Sequence, residues 1–207
     1  FVLSLSLGLR LVDLQHFIAN DEVRWTCRSL LFRDALTRRD WSGTYQVGHP
    51  GVVTTWLGAL TIPRNQGEGV EICRASEGGN DFDLVGADPE ERTRSLHQLR
   101  HPLFAGRVGV ALFTWLCVIG CYALTRIVFG RAVALIAIVF LSLSPFYLGL
   151  SRVLHLDGVL AGLMGLSSLS LLAAVQRGRD SGTHAGLLIL SGVAGGLSMV
   201  QKSPGLF

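Results

Sequence analysis

Four long apolar runs without a charged residue limit what this 207-residue chain can fold into. A helix needs about 20 apolar residues to cross the hydrocarbon core of a bilayer, which is roughly 30 Å thick. Each run approaches that length, and in lipid only helices or closed barrels satisfy every backbone hydrogen bond. The sequence therefore predicts spanning helices over Val108–Thr125, Ala132–Leu150, Gly158–Gln176 and Ala185–Gln201.

The composition agrees with a chain that is organised by lipid. Charged residues make up 16% of the sequence, whereas about a quarter of a soluble domain is charged. The apolar stretch Phe1–Ile18 lacks the basic leader and cleavage site of a signal peptide, so we expect a truncated first span. The predicted fold class is an all-α, polytopic transmembrane bundle of about five spans. It divides into the truncated span (1–18), an extracytoplasmic loop (19–103) and spans two to five (104–207).

Basic residues in the short connections predict an orientation for this bundle. Because such residues favour the cytoplasmic side, we expect the face that carries the loop 19–103 to lie outside the cytoplasm. We therefore expect a membrane that the chain crosses several times, with the functional residues on its extracytoplasmic side. Two connections carry pairs of arginines and the connection on the opposite face carries one, namely Arg126 with Arg131, Arg177 with Arg179, and Arg152.

The long loop has regions of different character. Glu22–Trp41 lacks Gly and Pro, and its two apolar faces separated by arginines predict a helix at the membrane surface. Gln66–Glu91 is rich in Gly and acidic residues, so we expect a solvated, poorly ordered insertion. Cys27 and Cys73 are interpreted as packing residues, and a disulfide between them stays open if their compartment is oxidising.

An acidic pair at the end of the first span, Asp21 and Glu22, follows Asn20. These residues can cap the next helix, since side-chain oxygens accept its free N–H groups and negative charge favours its N-terminus. They can also carry chemistry, because a carboxylate beside the bilayer is costly without a task and can act as a general base. The spacing alone does not distinguish helix capping from catalysis, and one aspartate can have both roles.

Other polar candidates lie near span ends on the same predicted face. His49 lies in a predicted turn, where it either makes a structural hydrogen bond or contacts a proton or phosphate. The connection Ser151–Asp157 either forms a membrane-edge loop with an Arg152–Asp157 pair or contacts a donor phosphate or sugar. Lys202 either anchors its span at the interface or binds phosphate.

These motifs follow one another in a characteristic order. Asp21-Glu22 at the end of a span is followed by a surface helix and by Gly48-His49-Pro50-Gly51-Val52-Val53-Thr54-Thr55-Trp56. Ser151-Arg152 with His155-Leu156-Asp157-Gly158 comes next, and Gly195-Gly196-Leu197-Ser198 with Lys202-Ser203-Pro204 comes last. The order resembles the N-terminal half of a GT-C glycosyltransferase, and within that superfamily the bacterial protein O-mannosyltransferase and aminoarabinose transferase group.

The resemblance implies an activity and a set of roles. In this family the sugar, a hexose such as mannose, would pass with inversion from a polyprenyl-phosphate carrier to a hydroxyl acceptor at the outer face of a bacterial plasma membrane. Asp21 would deprotonate the acceptor, and Glu22 would tune or position Asp21. The expected partners are the lipid-linked donor, a protein, lipid or glycan acceptor, and membrane lipid. Candidate contacts to the donor and its leaving phosphate are Arg24, His49, Arg152, His155, Asp157 and Lys202.

The same resemblance implies that something is missing from this chain. Such enzymes typically have about twice as many spans, so we expect an N-terminal fragment that is inactive on its own. The start at Phe1 rather than Met and the stop directly after a span lead to the separate expectation that a longer protein has been cut at both ends. One acidic pair with distant histidines does not specify a metal site, so the participation of a divalent cation stays open.

Two other functions compete with the transferase. In a fragment of a secondary transporter or flippase, Asp13, His155 and Asp157 would bind protons or substrate. Transporters usually hold such groups near the membrane centre, whereas most lie at span ends here. A non-catalytic scaffold would instead bind a partner through the acidic loop. No nucleic-acid partner is expected, because the net charge is only +3 and twelve of the fifteen acidic residues lie between Asn20 and Leu103.

Overall fold

A computed structural model of the chain describes residues 1–15, 18–46, 51–76, 88–177 and 182–202. Within these residues all regular secondary structure is helical, which confirms the predicted all-α class. The α-helices are α1 (Val2–Leu11), α2 (Asn20–Arg38), α3 (Val52–Thr61), α4 (Gly67–Ala75), α5 (Pro89–Leu143), α6 (Pro145–Leu150), α7 (Leu156–Arg177) and α8 (His184–Gln201), and a short 3₁₀ helix covers Ser42–Thr44.

Three of the described helices contain segments long and apolar enough to cross a membrane: Thr93–Leu143, Leu156–Arg177 and His184–Gln201. The first of them contains two predicted spans, separated at Gly130, whose φ of 83° and ψ of 174° are not helical. Val118 before Gly130 packs with Ile138 after it. A straight helix would hold these two residues about 30 Å apart. The chain therefore reverses direction at Gly130, and the protein is an integral membrane protein built from helices.

Two predicted spans are shorter in the structure. Among the described residues of the region 1–18, the helix covers Val2–Leu11 and is about 15 Å long, which is shorter than the roughly 30 Å core of a bilayer. The third span ends at Leu143, after which the Ser144 hydroxyl accepts the N–H of Tyr147 at 3.4 Å and α6 begins. Pro145 explains this break, because proline has no N–H to donate and disfavours a helical conformation in the residue before it.

The chain forms two compact units. The bundle unit comprises Phe1–Arg10, Ala111–Ser151 and Leu156–Phe207, and the loop unit comprises Leu11–Val110 and Arg152–His155. Helix α5 contributes to both units, because the boundary falls between Val110 and Ala111.

In the bundle unit, α7 and α8 pack against each other. The Ser167 hydroxyl of α7 donates to the Ser191 carbonyl of α8 at 3.0 Å, which is the kind of polar contact that joins helices in lipid. Helix α1 is attached by Trp115, whose indole N–H donates to the Leu3 carbonyl at 2.9 Å. The buried guanidinium of Arg10 lies over the ring of Tyr147, 5.5 Å from its centre.

The loop unit is organised around α2. The predicted helix over Glu22–Trp41 is confirmed, although it ends at Arg38 because Arg39 adopts the left-handed conformation (φ 59°). One face of α2 is buried in an apolar core that also takes residues from α4 and α5. The buried members of this core are Val23, Cys27, Leu30, Ile62, Cys73, Leu99 and Leu103.

The structure corrects two expectations about this loop. Cys27 and Cys73 form a disulfide, with their Cα atoms 5.1 Å apart, rather than merely packing. Gly67–Ala75 is the helix α4, although it lies in the region expected to be poorly ordered. The reason is that Val70 and Cys73 bury apolar surface against α2, which composition averaged over the whole segment does not reveal. Residues 77–87 of that segment lie outside the described part of the chain.

Candidate functional site

The acidic pair at the start of α2 is divided between two environments. Glu22 is completely buried, whereas the Asp21 side chain is 56% exposed. Successive side chains point about 100° apart around a helix, so one of two neighbours can enter the core while the other faces out. The two carboxylates therefore cannot have the same task.

Every hydrogen-bonding site of the Glu22 carboxylate is used by the protein. Its Oε1 accepts the Nε–H of Arg107 at 2.8 Å and the backbone N–H of Leu154 at 2.9 Å. Its Oε2 accepts an Nη2–H of Arg107 at 2.5 Å and the backbone N–H of Ala19 at 2.8 Å. A carboxylate offers about four acceptor positions, and here all are filled. Glu22 holds the structure together and is not available as a base.

The contact with Ala19 also decides which residue caps α2. Ala19 is the N-cap, and Glu22 three residues later accepts its N–H, as in a capping box. The sequence pointed to Asn20 or Asp21 as an acceptor at the N-cap, whereas both are helical residues that follow the N-cap Ala19, which has no side chain that could accept a hydrogen bond. The side chain of Asn20 lies outside the description.

Arg107 is a member of this network that the sequence pattern did not single out. It lies on α5, is 97% buried, and pairs with Glu22 through two nitrogens while its Nη1 donates to the Leu14 carbonyl. The partners are 85 residues apart, so no local spacing could reveal the pair. The available signal was a charged residue at the start of an apolar run, which in a membrane protein needs a partner.

The same network fixes the short segment after Ser151. Leu154 is completely buried and donates its N–H to Glu22. It packs on Gly106, where an added Cβ would lie 2.7 Å from the Leu154 side chain. Glycine at this position therefore lets the segment 152–155 approach α5 closely enough to reach Glu22.

Asp21 faces two cationic or protonatable side chains. Its Oδ2 lies 3.8 Å from Nε2 of His155, and its Oδ1 lies 3.6 Å from Nη1 of Arg24. Both distances exceed a hydrogen bond, so the two contacts are electrostatic and leave room for a donor at the carboxylate. The structure thus brings Asp21, Arg24 and His155 together, with Asp21 open to solvent.

The backbone around His155 is held from both sides. The Thr54 hydroxyl of α3 donates to the His155 carbonyl at 3.3 Å. Arg152 donates through Nη2 to the Val12 carbonyl, which ties the segment 152–155 to the chain that precedes α2. Arg152 was predicted to bind phosphate, and in the structure its guanidinium hydrogen-bonds a backbone carbonyl.

A second arginine lies one helical turn beyond Arg24. Arg28 stacks over the ring of Trp25, with its guanidinium carbon 4.5 Å from the ring centre. Burial lowers the pKa of Arg28, the nearby charge of Arg24 lowers it further, and Asp21 raises it. Two arginines that follow Asp21 on α2, Arg24 and Arg28, therefore interact with it electrostatically.

The remaining predicted residues lie either in the bundle unit or outside the described part of the chain. Asp157 and Lys202 belong to the bundle unit, where Nζ of Lys202 lies 2.7 Å from Oδ1 of Asp157. Next to them Gln201, which is fully buried, donates its side-chain N–H to the Leu156 carbonyl at 3.2 Å. His49 lies outside the described residues. Across the described ranges, no three His, Cys, Asp or Glu side chains cluster closely enough to hold a metal ion.

Comparison with known proteins identifies a family that matches the second half of the chain. Residues 95–207 match the family model described as dolichyl-phosphate-mannose-protein mannosyltransferase. The match covers more than half of the chain and includes Arg107, Arg152, His155, Asp157 and Lys202, whereas Asp21 and Glu22 precede it. No curated protein and no solved structure gives a significant match. Since a family of glycosyltransferases that use lipid-phosphate sugars accounts for most of its membrane helices, the chain belongs to the dolichyl-phosphate-mannose-protein mannosyltransferase family of the GT-C superfamily.

Proposed function

We propose that Asp21 is the general base of an inverting glycosyltransferase that uses a polyprenyl-phosphate sugar, with a hexose such as mannose as the transferred group. The acceptor hydroxyl attacks the anomeric carbon of the donor and gives its proton to Asp21. The bond between that carbon and the phosphate oxygen breaks, and the lipid phosphate leaves with the electron pair. The family match supports this reaction over a transporter or a scaffold.

The observation that carries the proposal is the different environment of the two acids. Glu22 is saturated by Arg107 and backbone N–H groups, while Asp21 beside it is half exposed. A general base must be reachable by the acceptor and held in one direction. The first turn of α2, fixed by the buried pair, provides that direction for Asp21.

The cations near Asp21 suit the charge that develops during transfer. The leaving phosphate gains negative charge as the bond breaks, and positive groups fixed nearby lower the barrier. Arg24 and His155 lie within 4 Å of Asp21, and Arg28 on the same helix interacts with it electrostatically over a longer distance. We assign them to the donor phosphate or its sugar, and for Asp157 and Lys202, which belong to the bundle unit, contact with the donor stays a prediction from the sequence.

The disulfide supports an extracytoplasmic location for the loop unit. Disulfides persist in oxidising compartments and are rare in the cytosol. Cys27 lies on α2, less than two turns after Asp21, so the carboxylate and the disulfide share one side of the membrane. This agrees with a carrier whose tail stays in lipid while its phosphate meets the polar loop.

The test is a transfer assay in membranes that contain the protein carrying this chain. Radiolabelled polyprenyl-phosphate mannose is supplied with a hydroxyl-bearing acceptor, and Asp21→Asn is compared with the wild type. We expect Asp21→Asn to lower transfer by about a hundredfold or more, because general base catalysis contributes about that much. Asp40→Asn is the matched control, since Asp40 is exposed just beyond α2 and Asn can keep its contacts to Ser42 and Gly43. Wild-type transfer by Asp21→Asn would remove Asp21 from the mechanism.

A further inference from the structure

A charged cleft lies between the second half of α2 and helix α4, away from Asp21. Its volume is about 260 Å³, and all of its lining residues belong to the loop unit. Four arginines and two acidic residues line it, so its wall carries an excess of two positive charges. These residues are Arg33, Arg38, Arg64, Arg74, Asp34 and Glu71.

The carboxylate of Asp34 is shared by two of these arginines. Nε of Arg38 lies 3.0 Å from its Oδ1, and Nη2 of Arg74 contacts its Oδ2. Arg33 donates instead to a neutral group, the Ile62 carbonyl. Among the described contacts of the cleft, Asp34 is the carboxylate that forms ion pairs, and it pairs with both Arg38 and Arg74. The guanidinium of Arg33 instead hydrogen-bonds a neutral carbonyl.

Arg33 and Arg64 both line the cleft, and their positive charges act on each other there. Burial lowers the pKa of Arg33, the charge of Arg64 lowers it further, and Asp34 raises it. Holding two guanidinium groups together at a half-buried position is unfavourable unless an anion lies between them. The cleft is also held rigidly, because the Cys27–Cys73 disulfide joins α2 to α4.

The backbone at the start of α4 also borders the cleft, whereas the acidic side chain of this turn, Glu68, is not part of the lining and accepts from Gln98. Gln66, the N-cap, and Gly67, the first helical residue, both line the cleft. The N-terminus of a helix presents free N–H groups and the positive end of the helix dipole. Guanidinium groups bind phosphate through two parallel hydrogen bonds. The cleft volume of about 260 Å³ is much larger than the roughly 10–15 Å³ of such volume that a single water needs, so a phosphate has room.

We propose that this cleft is a binding site for a phosphate group, held by Arg33 and Arg64 at the N-terminus of α4. The site is separate from the proposed reaction at Asp21 and does not depend on it. The phosphate is either free in solution or the headgroup of an anionic lipid, since both present the same oxygens.

The test measures thermal unfolding of the protein in detergent with increasing inorganic phosphate, against chloride at equal ionic strength. Binding to the folded state raises the unfolding midpoint. We expect phosphate to stabilise the wild type, and Arg64→Gln to raise the half-saturating phosphate concentration by about tenfold or more, because it removes a charged hydrogen-bonding partner. Arg94→Gln is the control, since Arg94 is an exposed arginine of the same unit outside the cleft.

The lipid source is examined in parallel with nanodiscs of phosphatidylcholine with or without phosphatidic acid. Stabilisation by phosphatidic acid that Arg64→Gln abolishes would assign the phosphate to a lipid headgroup, and stabilisation by inorganic phosphate would assign it to solution. Arg33→Lys is a second variant that keeps the charge but removes the planar fork, and it should weaken binding as well. Equal midpoints in phosphate and chloride with no effect of phosphatidic acid, or an unchanged response in Arg64→Gln, would overturn the proposal.

Discussion

Glu22 and Asp21 are adjacent in the chain and have opposite relations to water. The buried Glu22–Arg107 pair satisfies both partners, which is the condition under which a buried ion pair is tolerated. Asp21 is left to face Arg24, His155 and solvent. We interpret Glu22 as the residue that fixes the first turn of α2 and propose Asp21 as the residue that reacts.

Removing Arg107 should destabilise the protein more than removing the whole pair. Arg107→Met leaves the Glu22 carboxylate buried without its counter-charge, which costs about 3–5 kcal/mol. The double variant Glu22→Gln with Arg107→Met leaves no lone charge and should recover part of that loss. Thermal unfolding in detergent measures both, with Arg94→Met on the exposed side of α5 as the control. An unfolding midpoint of Arg107→Met equal to that of the wild type would contradict this role.

At the residue scale, the sequence was enough to identify the acidic pair, but it did not show which carboxylate is buried and which is exposed. Charged residues beside a span are conspicuous, so Asp21, Arg24 and His155 could be named in advance. Which carboxylate is buried depends on Arg107 and Leu154, and both are far away in the chain. Such long-range pairing leaves no local pattern.

At the scale of elements, the loop unit depends on two close connections. The disulfide joins α2 to α4, and the contact of Gly106 with Leu154 lets the segment 152–155 reach Glu22. The spans could be predicted because hydropathy alone defines them. Helix α4 and the disulfide could not, because a short helix of mixed composition is stabilised by the elements it contacts.

Loss of the disulfide should destabilise the loop unit. The cysteines are 46 residues apart, and closing such a loop contributes about 4 kcal/mol by the chain-entropy model. Cys27→Ser should therefore lower the unfolding midpoint, and a reducing agent should lower the midpoint of the wild type but not of Cys27→Ser. The variant Cys117→Ser with Cys121→Ser keeps the disulfide and serves as the comparison. If reduction left the wild-type midpoint unchanged, the disulfide would not stabilise the unit.

Enlarging Gly106 should disturb the site through Leu154. Gly106→Val introduces atoms where an added Cβ would already lie 2.7 Å from the Leu154 side chain. Because Leu154 is completely buried and has little room to turn away, we expect the segment that carries His155 to shift. Displacement by about 1 Å can lower turnover by up to about a hundredfold. Adding Leu154→Ala should restore part of the activity, and Gly186→Val, at an open position on α8, should have little effect. Transfer per folded molecule is the measurement, and wild-type transfer by Gly106→Val would refute the argument.

At the scale of the whole molecule, the helices define a membrane protein and the matched segment defines its family. The proposed orientation rests on the arginine bias of the connections and on the disulfide. In a variant whose native cysteines other than Cys27 and Cys73 are replaced, Ser42→Cys should react with an impermeant maleimide in intact cells. Arg131→Cys should react only after the membrane is opened. The reverse pattern would place the loop unit in the cytoplasm and exclude the proposed reaction at the outer face.

The most direct test of the account compares Asp21→Asn and Glu22→Gln in one experiment, recording the unfolding midpoint and the rate of sugar transfer per folded molecule. Asp21→Asn should keep the wild-type midpoint and lose transfer by about a hundredfold or more. Glu22→Gln should lower the midpoint, because Arg107 is left buried without a counter-charge. Undiminished transfer by folded Asp21→Asn would contradict the central claim that Asp21 accepts the proton.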